Sequence, residues 1–179
     1  MCKFNYRVLL FFYRPTNMKR KQPQRKTTFA AQNGLIISTE RLRCGYIENK
    51  YVVLSPRRVN AGRAYFEMNF NKPVYSFMYR ACMWSGAEKL DGIAIIQVKK
   101  LQGEWYTLKD IPINSLKTKE NGLTQFIEST PLGINGLRFE TTATATGDRN
   151  KGRFCLGDIV FSTSSDNSTL SYVDYNYMI

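Results

Sequence analysis

Histidine is absent from all 179 residues. That removes His-dependent triads, imidazole metal sites and imidazole acid–base chemistry. Carboxylate pairs, lysine and tyrosine can still carry acid–base work, so an enzyme is disfavoured rather than excluded. The 14 Asp and Glu residues are scattered, and no catalytic pair stands out among them. The four cysteines, Cys2, Cys44, Cys82 and Cys155, contain no C-x-x-C pair. A zinc ribbon or dithiol redox motif is therefore not expected, and no metal ligands are nominated. Gly-rich phosphate cradles are missing. So are internal repeats and any convincing amphipathic helix.

Long apolar runs are missing too. Val8–Tyr13 is apolar, but it is short and lies between Arg7 and Arg14. It cannot span a membrane as a helix, and it is short for the apolar region of a signal peptide. It reads either as a degraded or truncated secretion signal or as sequence upstream of a true start such as Met18. Acid is absent from residues 1–26, which hold eight of the 26 Lys and Arg. From Thr27 onward 18 bases face 14 acids, so most of the net charge of +12 belongs to this arm. Such an arm suits nucleic acid, an anionic polymer or a membrane surface; it suits a solvated tail equally well.

From Leu35 the pattern is that of strands. Leu35–Ser38, Arg41–Glu48 with a turn at Gly45, and Lys50–Ser55 are short β-prone runs. Arg63–Phe70 alternates, with Tyr65, Glu67 and Asn69 on one side and Phe66, Met68 and Phe70 on the other. Asn71-Lys72-Pro73 reads as a turn. Val74–Trp84 is the clearest long strand, with Tyr75, Phe77, Tyr79, Ala81 and Met83 on one face. Its other face mixes Arg80, Cys82 and Trp84 with small and apolar residues, which suggests a groove or a partly wet surface. Ile93–Leu101 and Glu104–Lys109 flank a hairpin tip at Gln102-Gly103. Asp110–Asn121 reads as a loop or short edge element, and Leu123–Glu128 as a further strand. Gly136–Thr141 and Arg153–Phe161 are strands separated by the polar loop Gly147–Gly152, which is rich in turn formers but is not a calcium loop. Eight or nine short strands at near-regular spacing predict an all-β sandwich over residues 35–163. Residues 1–34 are expected as a disordered basic arm, and residues 164–179 as a polar linker and tail.

The order of these motifs resembles the bacterial jelly-roll domains related to galactose-binding-like and carbohydrate-binding modules. The shared features are an aromatic and Arg-bearing strand, the strand Ile93-Ala94-Ile95-Ile96-Gln97-Val98, a G-x-W hairpin, L-R-F, a polar loop, and Arg153-Phe154-Cys155-Leu156-Gly157-Asp158-Ile159. The resemblance covers about Leu35–Thr163 and implies a jelly-roll β-sandwich of two antiparallel sheets. Such domains accompany secreted nucleases, peptidases or surface anchors, so an extracellular or cell-envelope setting is implied. Gly157 stands where a first Asp is common, which removes the basis for an acid-dependent metal site there. No cofactor is expected; a structural calcium is implied only by the resemblance.

Sugar rings need flat apolar surfaces, and their hydroxyls need Arg, Asp, Asn or Glu. Arg80 and Trp84 on the mixed face are candidates, joined by Arg138 and Glu140 where the C-terminal strands lie alongside. Trp105 and Tyr106 offer a second aromatic patch. Each has a structural reading as well. Trp84 fits the cap of a core at a strand end, and Trp105 fits hairpin packing. Arg138 and Glu140 fit an ordinary solvent face, and Arg153 and Asp158 fit a structural pair orienting the last strand. The leading expectation is a non-catalytic module for a glycan or cell-surface polymer. A nucleic-acid or anionic-polymer binder working through residues 1–26 and an assembly domain of a larger surface or phage-borne protein are the alternatives.

Overall fold

The computed structural model describes residues 5–8, 27–30, 36–40, 42–44, 52–54, 63–84, 92–142 and 153–165. The loop Gly147–Gly152 and most of the expected arm and tail lie outside them. The described residues form β1 (Asn5–Val8), β2 (Thr27–Ala30), β3 (Ile36–Glu40), β4 (Leu42–Cys44), β5 (Val52–Leu54), β6 (Arg63–Met83), β7 (Ile93–Lys100), β8 (Trp105–Pro112), β9 (Thr124–Thr142) and β10 (Phe154–Ser162). Two single 3-10 turns, Ile113–Ser115 and Lys119–Asn121, occupy the stretch read as a loop. β1 and β2 are the described parts of residues 1–34. β1 pairs with β10 and β2 with β3.

All the strand pairings are antiparallel, and they join the ten strands into one hydrogen-bonded sheet. Two long strands fold that sheet into a sandwich. Arg63–Asn69 of β6 lies between β3 and Gly136–Thr142 of β9, which in turn pairs with β7. This is the first layer, completed by β2 and β8. Further along, Ser76–Met83 of β6 pairs with β10, and Ser76–Ala81 pairs with Thr124–Ser129 of β9. With β1, β4 and β5 this makes the second layer. The expected pair of sheets is thus present as two layers, but their backbones are continuous.

The turn expected at Asn71-Lys72-Pro73 is instead a bend inside β6. Proline removes one ladder donor but fixes a φ that extended chain accepts, so the pairing is interrupted while the strand continues. The register of β6 against β9 shifts at this point, between Asn69 and Val74 and again before Ser76. The shift has a clear outcome for the core. Ala64, Phe66 and Met68 are buried before the bend, and Phe77, Tyr79 and Ala81 after it, so the inward positions change from even to odd. β10 makes the same adjustment with a bulge. Leu156 faces Ala81 and Ile159 faces Tyr79, leaving Gly157 and Asp158 opposite Arg80. The extra residue keeps Phe154 and Leu156 on the buried side together with Ile159 and Phe161.

A single core cluster runs through both layers. Tyr79 stacks on Phe126 at 4.9 Å, and Phe70 tilts against Phe161 at 4.8 Å. At one edge, Lys109 of β8 donates to Glu128 of β9 at 2.8 Å, and its ammonium lies 5.1 Å from the Phe126 ring. This contact ties the two layers together at their margin. β9 and β10, consecutive in sequence, flank β6 on opposite sides.

Candidate functional site

On the outer face of the first layer, pairing brings distant residues into short rows. Glu67, Arg138, Gln97 and Thr107 are successive cross-strand partners on β6, β9, β7 and β8. The neighbouring row holds Asn69, Gly136, Lys99 and Trp105. Each outward residue of β6 and β9 alternates with a buried one, so Leu137 and Phe139 fix the outward direction of Arg138.

Gly136 determines where Trp105 lies. A Cβ on Gly136 would stand 2.7 Å from the indole Cη2 and 3.1 Å from Cζ2. Without it, the indole reaches from β8 across β7 and lies over β9. There it meets Arg138, whose guanidinium carbon is 4.2 Å from the ring centroid.

Arg138 is held from three directions. Its Nε and Nη2 donate to Oε2 of Glu67 at 2.8 and 2.6 Å, and its Nη1 donates to Oε1 of Gln97 at 3.2 Å. Asn69 Nδ2 donates to the other Glu67 oxygen at 2.9 Å. The Tyr65 ring lies 5.7 Å from the Arg138 guanidinium and 5.2 Å from that of Arg63. Arg63 approaches Glu140 at 3.6 Å. The Arg138 and Glu67 side chains are only 16% and 15% exposed, so their charge-assisted bonds are partly shielded from water. The result is a planar cation stacked on an indole, with its donors directed by a carboxylate and an amide. Aromatic faces and oriented polar edges are the two groups that a polyhydroxylated ring requires.

Arg138 and Glu140 are therefore neighbours in one cluster. Arg80 and Trp84 are not part of it. Arg80 lies between the buried residues Tyr79 and Ala81 and points outward from the second layer. Because β6 crosses from one layer to the other, its outward residues before and after the bend emerge on opposite outsides of the sandwich. The four candidates thus divide between two faces. Trp84 packs on the small cluster of Val53, Cys82 and Cys155, together with Leu123. The Arg153 guanidinium sits 5.8 Å from the Trp84 ring, just before β10 begins, while Asp158 stands in the β10 bulge.

Tyr65, Glu67, Asn69 and Gln97 complete the Arg138 cluster and were not candidates from sequence. The alternation of Arg63–Phe70 places the first three on one face, but only the register against β9 reveals their partner. Tyr106 is exposed beside Lys100, whose ammonium is 5.4 Å from its ring. No group of three or more Cys, Asp or Glu able to hold a metal ion occurs among the described residues, and none of their helices is long and apolar enough to cross a membrane.

No family model matches the chain, and no curated protein matches it. Solved structures do. A family 29 carbohydrate-binding module from Piromyces equi is 9% identical, with a TM-score of 0.47 over 80% of this chain and 89% of its own. The K2 cleaved adhesin domain of Lys-gingipain is 12% identical, with a TM-score of 0.48 over 89% of this chain and 99% of its own. An F5/8 type C domain from Bacteroides fragilis is 16% identical, with a TM-score of 0.41 over 78% and 97%. At TM-scores below 0.5 these likenesses leave the β-sandwich assignment resting on the strand pairings themselves.

Proposed function

We propose that this chain is a non-catalytic module that binds a glycan or cell-surface polymer on the outer face of its first layer. The observation that carries this reading is the Trp105 indole stacked on an Arg138 guanidinium that Glu67 and Gln97 hold in place. An exposed part of the indole supports the apolar face of a sugar ring. Gln97, Asn69 and Glu140 supply donors and acceptors for its hydroxyls. Because the polar groups are fixed before the ligand arrives, little side-chain freedom is lost on binding. An extracellular or cell-envelope location is part of the same proposal.

The test is binding to immobilised glycans and to cell-wall material. Trp105→Ala is expected to weaken binding by roughly tenfold or more, in line with loss of a stacking aromatic. Arg80→Ala, on the opposite face, is expected to leave binding unchanged. Binding that survives Trp105→Ala but is lost in Arg80→Ala would move the site to the second layer. Binding to none of these materials would remove the glycan reading.

A further inference from the structure

The geometry points to Cys82 and Cys155 as a cross-strand pair that closes to a disulfide by exchange with a small-molecule disulfide such as oxidised glutathione. Cys82 of β6 and Cys155 of β10 are direct partners in the antiparallel register. Directly opposed residues in such a pair have Cα atoms about 4.5–5.5 Å apart and project to the same face. That separation falls inside the range of about 4.4–6.8 Å that a disulfide spans without moving the backbone.

Both residues are fully buried. They do not belong to the main core. With Val53 they form a separate cluster on the outer side of the second layer, covered by Trp84 and Leu123. Val53 of β5 is the next residue across from Cys155, so an ordinary aliphatic side chain satisfies this row. Sulfur occupies two directly opposed positions of the row, one on β6 and one on β10. The pair lies on the opposite side of the sandwich from Trp105 and Arg138, and its closure is independent of the glycan proposal.

The exchange balances in two steps. The thiolate of one cysteine attacks a sulfur of the oxidant, forming a mixed disulfide and releasing one small thiol. The thiolate of the other then attacks the protein-bound sulfur, forming the Cys82–Cys155 bond and releasing the second small thiol. The protein loses two thiol protons and two electrons, and the oxidant is reduced to two thiols. With both sulfurs enclosed in the folded chain, exchange takes place before Trp84 and Leu123 close over the row. The finished bond is sheltered from reductant. The pair suits a compartment where disulfides persist, outside the cytosol.

The test uses the full chain, folded from denaturant in a glutathione redox buffer, alkylated while denatured, and digested with trypsin without reduction. The expected product joins the peptides 81–89 and 154–179, each of which carries one cysteine. The oxidised protein is expected to melt about 10 °C above the reduced protein, because the bond restrains a long loop in the unfolded chain. Recovery of Cys82 and Cys155 alkylated after oxidative folding overturns the proposal. So does a dominant link from either residue to Cys2 or Cys44. The double variant Cys82→Ala, Cys155→Ala should show no difference in melting between oxidised and reduced samples. A difference that persists in it assigns the effect elsewhere.

Discussion

Tyr79 meets Phe139 edge to face, with ring centroids 5.0 Å apart and planes at 67°. Tyr79 belongs to the half of β6 in the second layer, and Phe139 to the half of β9 in the first. Their contact is therefore where the layers meet. Phe77 and Phe126 stack on the same tyrosine. This aromatic surround encloses the phenol completely, and its hydroxyl has no hydrogen-bond partner among the described residues.

Tyr79→Phe is expected to leave stability unchanged or to raise it by about 1 kcal/mol, because it removes a desolvated hydroxyl without opening a cavity. Urea denaturation measures this, and a clear loss of stability would show that the hydroxyl has a partner. The same residue sets an alkaline limit. Burial, and then the negative charge of Glu128, push its ionisation well above the usual tyrosine range. Above about pH 10 the unfolded chain releases this proton and the folded chain keeps it. The folded state then binds more protons, so stability falls as pH rises, by about 1.4 kcal/mol per pH unit from this group, and is level below. Tyr79→Phe should remove that part of the slope in urea midpoints taken from about pH 9 to about pH 11.

Arg138→Ala is expected to cost about 2 kcal/mol, since Glu67 loses two charge-assisted bonds in a half-buried position. Arg138→Lys should recover only part of this, because an ammonium cannot reproduce the planar fork. Denaturant midpoints of the two variants, compared with Glu67→Gln, measure the pair. Equal stability of all three with the parent chain would mean that the pair contributes nothing.

Gly136→Ala separates placement of the indole from stability. The added methyl meets the far end of Trp105 at 2.7 Å and Lys99 Cβ at 3.0 Å. The indole is able to swing outward, so stability should change by only about 1 kcal/mol, toward the low end of overpacking costs. Glycan affinity should fall as in Trp105→Ala. In a Trp84→Phe background the emission should also shift toward longer wavelength as the remaining indole enters water. An unchanged spectrum would show that Trp105 does not rest on this glycine.

Gly133→Ala acts on the bend instead. Gly133 has φ +73°, and its Cβ would lie 3.2 Å from both Pro73 Cβ and Tyr75 Cε1. A left-handed alanine costs about 1–2 kcal/mol, and the contacts add to that. Thermal melting should register the loss, and melting equal to the parent would show that the crossing tolerates a different backbone.

The inner face of the fold was legible from alternation alone. Phe66 and Met68 in one run, and Phe77, Tyr79 and Ala81 in another, were placed on the correct sides. The hairpin at Gln102-Gly103 was legible from its turn residues. The continuity of β6 was not, because Asn71 and Pro73 are turn formers locally and only long-range pairing holds them extended. The same limit applied to the site. Arg138 was a candidate, but Glu67 and Gln97 reach it through register, which no single strand contains. Trp105 owes its position to the missing side chain on Gly136, two strands away. That Arg138 and Glu140 emerge on the other face from Arg80 and Trp84 was not legible, because a change of layer within one strand leaves no local mark.

The passage of β6 and β9 through both layers has a consequence for how the chain acquires its structure. Arg63 pairs with Thr142, and Phe154 with Met83, so residues at the ends of long intervening segments must meet before either layer is complete. Non-local topology of this kind slows folding. It also denies the protein a stable half. No cut through the chain leaves one layer with its strands intact, and the slowest-exchanging amides of the two layers should open together as one cooperative unit.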